Sequence, residues 1–433
     1  SRRTIIRCAS LLTFSATWPS SLLSRSIRSA WWTSSERSPS STWSVRASSS
    51  SGSSSSGSGS GAGGAAAQLQ ALFSPQRHRI DVRQAPLLRL YTAYDGERQQ
   101  WLALLLAHHL VTDHTTLEVL QGEVQAHLQG QADRLAEPLP FRNFVAQARL
   151  GISREEHEAF FRRMLGDIDE PTVPFGLVDV QGDGREIEEA RVRLESSLSR
   201  RIREQARRMG VSAASVCHLA WAQVLAKASG REDVVFGTVV FGRMQGGAGA
   251  DRVMGLFINT LPIRIRIGEE GAEASVRRTQ VELADLLRHE HASLSLAQRC
   301  SGVRAPLPLF SALLNYRHSP GAGQRKTEEQ KRGWEGIRWS EGEERTNYPL
   351  TLSVEDLGEE FGLTAQSPAA IGPVRVCELM RTALESLVEA LEKEPGKAVR
   401  KLEVLPAAER RRVLYEWNDT AREYPSERCI QEL

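Results

Sequence analysis

Leu104-Leu105-Leu106-Ala107-His108-His109-Leu110-Val111-Thr112-Asp113-His114-Thr115-Thr116-Leu117 is the stretch whose reading decides the fold. The apolar run from Trp101 to Ala107 predicts a buried strand. It ends in two adjacent histidines, with an aspartate shortly after. Thr115 and Thr116 are candidate caps for a helix whose apolar positions are Leu117, Val119, Leu120 and Val124. A rigid strand end feeding a polar turn fixes any side chain that reacts there.

Neighbouring strand residues point to opposite faces, so one cavity takes only one of His108 and His109 while the strand lasts. One is expected to be structural and the other functional. Histidine suits proton transfer near neutral pH. The plainer alternative is a pair satisfied by backbone hydrogen bonds, and the residues alone leave both open. Asp113 is expected to pair with a base and hold the turn.

Working outward, residues 78–89 predict a turn leading into a strand. Leu88–Ala93 and Gln100–Ala107 then form a hairpin turned by Asp95-Gly96. A helical period runs from Thr115 to Gln131, and Pro138-Leu139-Pro140 breaks it. Phe141–Leu150 and Arg154–Leu165 are expected helices, and the Pro/Gly/Asp-rich segment 171–184 a domain boundary. Ala190–Leu194 alternates as a strand. Ser196–Met209 and Ser212–Ser229 predict two helices closed by Gly210 and Gly230, the second buried. Cys217 and His218 lie in that second helix, where a lone histidine is a core residue without an assigned role.

Asp233–Arg243 and Met254–Ile265 are strand segments. Between them Gly246-Gly247-Ala248-Gly249 lacks the Lys-Ser/Thr of a phosphate loop and is expected to be a flexible connection. Further expected elements are a charged helix over Glu273–His291, a strand over Leu307–Tyr316, a loop over Gly321–Lys331, a hairpin from Tyr348–Val354 and Phe361–Ala365, and a helix over Val374–Lys393.

A chain of 433 residues has length for two to three domains and a sizeable core. A formal charge of +2 supplies no field that would favour nucleic acid or a membrane surface. The five cysteines, Cys8, Cys217, Cys300, Cys377 and Cys429, contain no CxxC pair, which argues against a zinc site or disulfide framework and fits a reducing cytoplasm. No apolar run reaches the roughly 18 residues of a membrane span. Residues 1–67 differ from the rest: rich in serine and arginine, with Glu36 the only carboxylate before Asp81. A transit peptide, a disordered tail and a misjoined translation all fit, and the last is favoured. The segment is expected to be disordered and to add nothing to a core.

His108 to His114 resembles the HHxxxDG motif of the condensation domains of nonribosomal peptide synthetases, in the superfamily of chloramphenicol acetyltransferase-like acyltransferases. His114 replaces the usual glycine, which permits close approach or a positive φ that histidine tolerates less. Asp233–Arg243 and Met254–Ile265 resemble two successive downstream motifs of that family. Leu402-Glu403-Val404-Leu405 and Glu409 to Thr420 resemble the linker to a following adenylation domain, and Cys429-Ile430-Gln431-Glu432-Leu433 its first residues. The likeness covers Gln68 to Leu433. The family's N-terminal aromatic, Gln-rich motif and its Arg-Thr motif are not found.

The resemblance implies an α+β fold, an α/β sandwich of two chloramphenicol acetyltransferase-like lobes in a V, the first incomplete. Its divisions would be 1–67 low-complexity, 68–180 the partial N-terminal lobe, 181–400 the C-terminal lobe, and 401–433 the linker and adenylation start. It further implies an acyltransferase joining a thioester donor to an aminoacyl acceptor by an amide bond. Both ride on phosphopantetheine arms of upstream and downstream peptidyl carrier proteins, with no metal or cofactor of the domain's own. His109 would face the substrate tunnel and His108 be structural. Asp113 would pair with Arg243, and His114 and Asn259 are tunnel candidates, Asn259 having a turn-satisfying alternative. Epimerization and a non-catalytic carrier-binding or docking role are the competing functions. The adenylation-like tail argues against the first; the missing N-terminal motifs and His114 support the second.

Overall fold

The computed structural model describes residues 7–15, 43–44, 65–73, 80–85, 87–180, 186–243, 249–318, 337–339, 343–421, 429 and 431. The expected loops at Gly246-Gly247-Ala248 and Gly321–Lys331 lie outside them. In chain order the first strands are β1 (Arg7–Ser15), β2 (Trp43–Ser44), β3 (Leu88–Asp95) and β4 (Gln100–His108), with helix α1 (Ala65–Leu72) before β3. β3 and β4 form the expected hairpin, where the Asp95 carboxylate accepts the N–H groups of Glu97 (3.1 Å) and Arg98 (3.2 Å). Leu102, Leu104 and Leu106 project from one face of β4 into a small core with Leu69 of α1, Tyr91 and Ala93.

Helices α2 (His114–Leu128), α3 (Phe141–Leu150) and α4 (Arg154–Leu165) follow. Then come β5 (Ile187–Arg193), α5 (Ser196–Met209), α6 (Ala213–Ser229), β6 (Asp233–Val240), β7 (Asn259–Arg266), α7 (Ala272–Arg288), α8 (Leu294–Arg299) and β8 (Ala312–His318). The chain continues through the short strands β9 (Ile337–Trp339) and β10 (Glu343–Arg345) into β11 (Leu350–Asp356), β12 (Phe361–Pro368), α9 (Pro373–Lys393) and α10 (Ala407–Arg411).

Among the described residues the strands form two six-stranded sheets. The first runs β10-β1-β4-β3-β2, with β9 also on β1; the second runs β5-β12-β11-β8-β6-β7. In the second sheet β8 lies parallel to β6 and β11 while the other pairs are antiparallel, and helices α5, α6, α7 and α9 pack against it in one large core. The architecture is therefore mixed helix and sheet in two lobes.

Three expectations are corrected. Residues 1–67 do contribute to the first lobe: β1 pairs antiparallel with all of β4, Arg7 opposite His108 and Ser15 opposite Gln100. The serine bias conceals Cys8-Ala9-Ser10-Leu11-Leu12-Thr13-Phe14, a proline-free run whose backbone can complete a ladder whatever its composition. Second, the lobe boundary does not fall at 171–184. Phe160, Phe161 and Leu165 of α4 already sit in the large second core, so packing passes to the second lobe before α4. Third, Asp113, not Thr115 or Thr116, caps α2. A carboxylate is the stronger acceptor for the N–H groups of the first turn.

β6 packs against its neighbours without slack at Gly237, where a Cβ would sit 2.3 Å from Leu313 Cδ2 and 2.5 Å from Phe310 Cε2. His218 is a satisfied core residue: Nδ1 meets the Ala214 carbonyl at 2.7 Å, Nε2 meets Thr238 Oγ1 at 2.8 Å, and burial pushes its pKa down to about 4. Gly237→Ala should therefore destabilise by about 1–3 kcal/mol through overpacking, read as a lower denaturant midpoint at unchanged m-value.

Candidate active site

β4 delivers the two histidines to the end of the first sheet. His108 is its last residue and lies on the face of Leu102, Leu104 and Leu106. Its backbone N–H donates to Leu87 O (3.0 Å), and its Nδ1 accepts the N–H of Leu110 (3.1 Å). Accepting at Nδ1 leaves the ring hydrogen of the neutral imidazole on Nε2. His108 thus folds the turn on itself. His109 is the first residue beyond the strand and is buried, with both ring nitrogens shielded from solvent. Because the strand ends at His108, the turn rather than strand alternation sets the His109 ring.

The turn is held by Asp113, only 1% exposed. Its Oδ1 accepts the N–H of Thr116 (2.8 Å) and lies 2.8 Å from the Thr116 hydroxyl. Arg243 Nη2 reaches Oδ1 at 2.9 Å and Oδ2 at 3.1 Å, and the N–H of Phe257 donates to Oδ2 at 3.1 Å. Asp113 comes from the first lobe; Arg243 and Phe257 come from the second. The Arg243 side chain is also buried: Nη1 donates to the carbonyls of Ala250 and Val253, and the guanidinium lies 3.8 Å from the Phe257 ring centroid. Every Asp113 lone-pair direction is used, the condition under which a buried carboxylate is tolerable.

Thr116 closes the same junction. Its single hydroxyl hydrogen lies between Asp113 Oδ1 (2.8 Å) and the Gly255 carbonyl (2.7 Å), while its oxygen accepts the Gly255 N–H (3.0 Å). Two glycines make room for these contacts. At Gly255 a Cβ would lie 2.2 Å from Phe141 Cδ2, so the first lobe packs directly on backbone. Gly242, with φ +68°, would place a Cβ 2.0 Å from the Phe257 carbonyl oxygen. It turns the chain out of β6 so that Arg243 faces Asp113.

Two candidates land elsewhere. His114 begins α2 at an ordinary negative φ, its ring more than half exposed and paired with Glu118 at 3.3 Å. No close approach or left-handed backbone is required there, so histidine fits, and the ring is turned to solvent. Asn259 spends its amide on the backbone: Nδ2 donates to Glu290 O (2.9 Å) and Ala292 O (2.6 Å), and Oδ1 accepts the Thr260 N–H (2.9 Å). It is the turn-satisfying alternative that the structure shows. Among the described residues no group of three or more His, Cys, Asp or Glu is arranged to hold a metal ion.

With this geometry in place, residues 63–414 match the model of the family described as Condensation domain. The chain belongs to that family. Malpibaldin synthetase of Mortierella alpina is 48% identical over 367 residues, covering 85% of this chain and 6% of that protein. Malpinin synthetase of the same organism is 49% identical over 366 residues, covering 84% of this chain and 5% of that protein. The chain therefore spans about one twentieth of the length of these curated relatives. The fold matches the condensation domain from Monacolin K polyketide synthase MokA with a TM-score of 0.66 at 17% identity, covering 91% of this chain and 93% of that one.

This condensation domain of the nonribosomal peptide synthetase type keeps His108, His109, Asp113 and Arg243 in one constellation. Sequence reasoning missed Thr116, Gly255 and Phe257 as its partners. The local signal existed, since Gly255 and Phe257 sit in the Met254–Ile265 segment that resembles a family motif. What they touch is set by the other lobe.

Because the Asp113–Arg243 pair is sealed from water, breaking it strands a charge, at a cost of roughly 3–5 kcal/mol. Asp113→Asn and Arg243→Ala should each lower thermal stability accordingly. The double variant should lose clearly less than the sum, measured as a double-mutant cycle in urea; additive losses would show the two groups to be uncoupled.

Proposed function

We propose that this chain forms an amide bond between an acyl or peptidyl thioester carried by one carrier protein and an aminoacyl group carried by the next. The family supports peptide-bond formation in general. The observation that carries the reading for this chain is His109. It is buried directly after a strand end, in a turn locked by a two-lobe ion pair.

The chemistry asks little of the protein. A thioester is already activated. The acceptor nitrogen attacks its carbonyl carbon, a C–N bond forms, and the C–S bond breaks to release the donor arm as a thiol. The His109 imidazole accepts a hydrogen bond from the attacking amine and takes up its proton, which finally resides on the departing sulfur. The phosphopantetheine arms belong to the carrier proteins and bring both reacting atoms to the ring. His108 acts on the turn and Asp113 with Arg243 on lobe placement; none of the three is assigned to the reacting atoms.

An adenylation domain is the proposed neighbour in the chain. Leu402 and Val404 anchor the C-terminal segment in the second core, and Arg375 pairs with Glu409. Beyond that anchor Leu414, Tyr415 and Trp417 stand exposed, the last two at 70% and 67%. An apolar face of this kind on a tethered segment suits a following domain packed against it.

With two loaded carrier proteins in a single-turnover assay, His109→Ala should slow amide formation about 10²–10⁴-fold. His108→Ala should instead lower the thermal midpoint, because Leu110 loses its acceptor. Inversion of the donor α-carbon without amide formation would establish the epimerization reading. Unchanged rates in His109→Ala, or no reaction at all with tight carrier binding, would remove His109 from the mechanism.

A further inference from the structure

Glu290 is fully buried, carries a carboxylate, and is used by nothing in the proposed reaction. It lies in the turn between α7 and α8, His289-Glu290-His291-Ala292, whose contacts run to both lobes. Glu290 Oε2 accepts the N–H of Gly242 at 3.0 Å, one residue before Arg243. The carbonyls of Glu290 and Ala292 accept from Asn259, two residues after Phe257. His289 stacks on Phe160 of α4 with ring centroids 4.1 Å apart, and its Nδ1 lies 2.9 Å from His157 Nδ1. His291 meets the ring of Phe144 in α3 edge-on, centroids 5.2 Å apart.

These contacts converge on one object. The two second-lobe groups that hold Asp113 are the Arg243 guanidinium and the Phe257 N–H. They sit on separate segments, one leaving β6 and one entering β7. The turn grips the first through the Glu290 side chain and the second through its own carbonyls. Moving the turn therefore moves both Asp113 donors together, and Asp113 fixes the polar turn that begins at His109. Gly242 has a left-handed backbone with no side chain, and the hydrogen bond to Glu290 restrains its N–H.

We propose that Glu290 is a positioning residue for His109, acting through Gly242 and the Asn259-clamped turn to set Arg243 and Phe257 jointly on Asp113. The proposal rests on His109 being the residue at the reacting atoms, and its test is independent of turnover. The full chain is labelled in its histidine rings for NMR, and the His109 signals are assigned by their loss in His109→Gln. Glu290→Met keeps the side-chain volume and removes the acceptor; Glu290→Gln keeps an acceptor oxygen.

The His109 ring signals should shift in Glu290→Met and stay in place in Glu290→Gln, with the rescue marking an acceptor rather than general packing. If Glu290→Met does not fold, Asn259→Ala releases the turn from its β7 side with the carboxylate intact and should shift the same signals. Unmoved His109 signals in a folded Glu290→Met or Asn259→Ala variant, or an equal displacement in Glu290→Gln, would overturn the proposal. A shifted His109 with unaltered amide formation would sink its catalytic reading and leave the positioning role standing, so the two ideas fail separately.

Discussion

The structure depends on one buried ion pair. Asp113 and Arg243 are both removed from water, so each pays a desolvation cost of several kcal/mol before any attraction is counted. The site offsets that cost with many partners: Asp113 has Thr116, Phe257 and Arg243, and the two terminal nitrogens of Arg243 have Asp113 and two backbone carbonyls, with an aromatic face beside the guanidinium. Because the partners come from different lobes, the carboxylate is satisfied only when the lobes are seated. The histidine turn and the lobe interface are thus one cooperative unit, and disturbance of either is felt by the other.

The same local motif occurs twice in the chain. β3, β4 and α2 form a hairpin followed by a helix, and β11, β12 and α9 form another. In both hairpins the first strand ends in an aspartate whose carboxylate accepts backbone N–H groups of the turn, Asp95 from Glu97 and Arg98, and Asp356 from Gly358. They diverge at the helix start. The first copy has Asp113 as a capping carboxylate; the second has Gly372 and then Pro373, with no side-chain cap. The same frame carries a histidine-bearing, capped turn at the helix start in one lobe, and in the other a strand-end aspartate paired with Arg203, Tyr316 and His318.

Much of the fold was legible because local physics dominates it. The helices Phe141–Leu150, Arg154–Leu165 and Ser196–Met209 fall at the expected residues, since amphipathic period, caps and terminal glycines are local signals. The β3–β4 hairpin was announced by Asp95-Gly96. The strand Arg7–Ser15 was hidden, because composition averaged over a serine-rich segment masks a short run whose stability comes from backbone bonds to β4 and to strands β9 and β10, far along the chain.

By itself, the sequence determined the strand that delivers His108 and His109 to a polar turn, and the types of residue able to build a capped turn. Those follow from backbone geometry and hydrogen-bond chemistry within a few residues. Only the tertiary structure decided that Asp113 caps its helix and also accepts the Phe257 N–H, that His114 turns to solvent, that Asn259 is consumed by a turn, and that Glu290 stands behind Gly242. These outcomes depend on which groups tertiary packing brings within reach, and no local pattern encodes partners that lie 31 residues away, as Glu290 does from Asn259, 48, as Glu290 does from Gly242, or 144, as Phe257 does from Asp113.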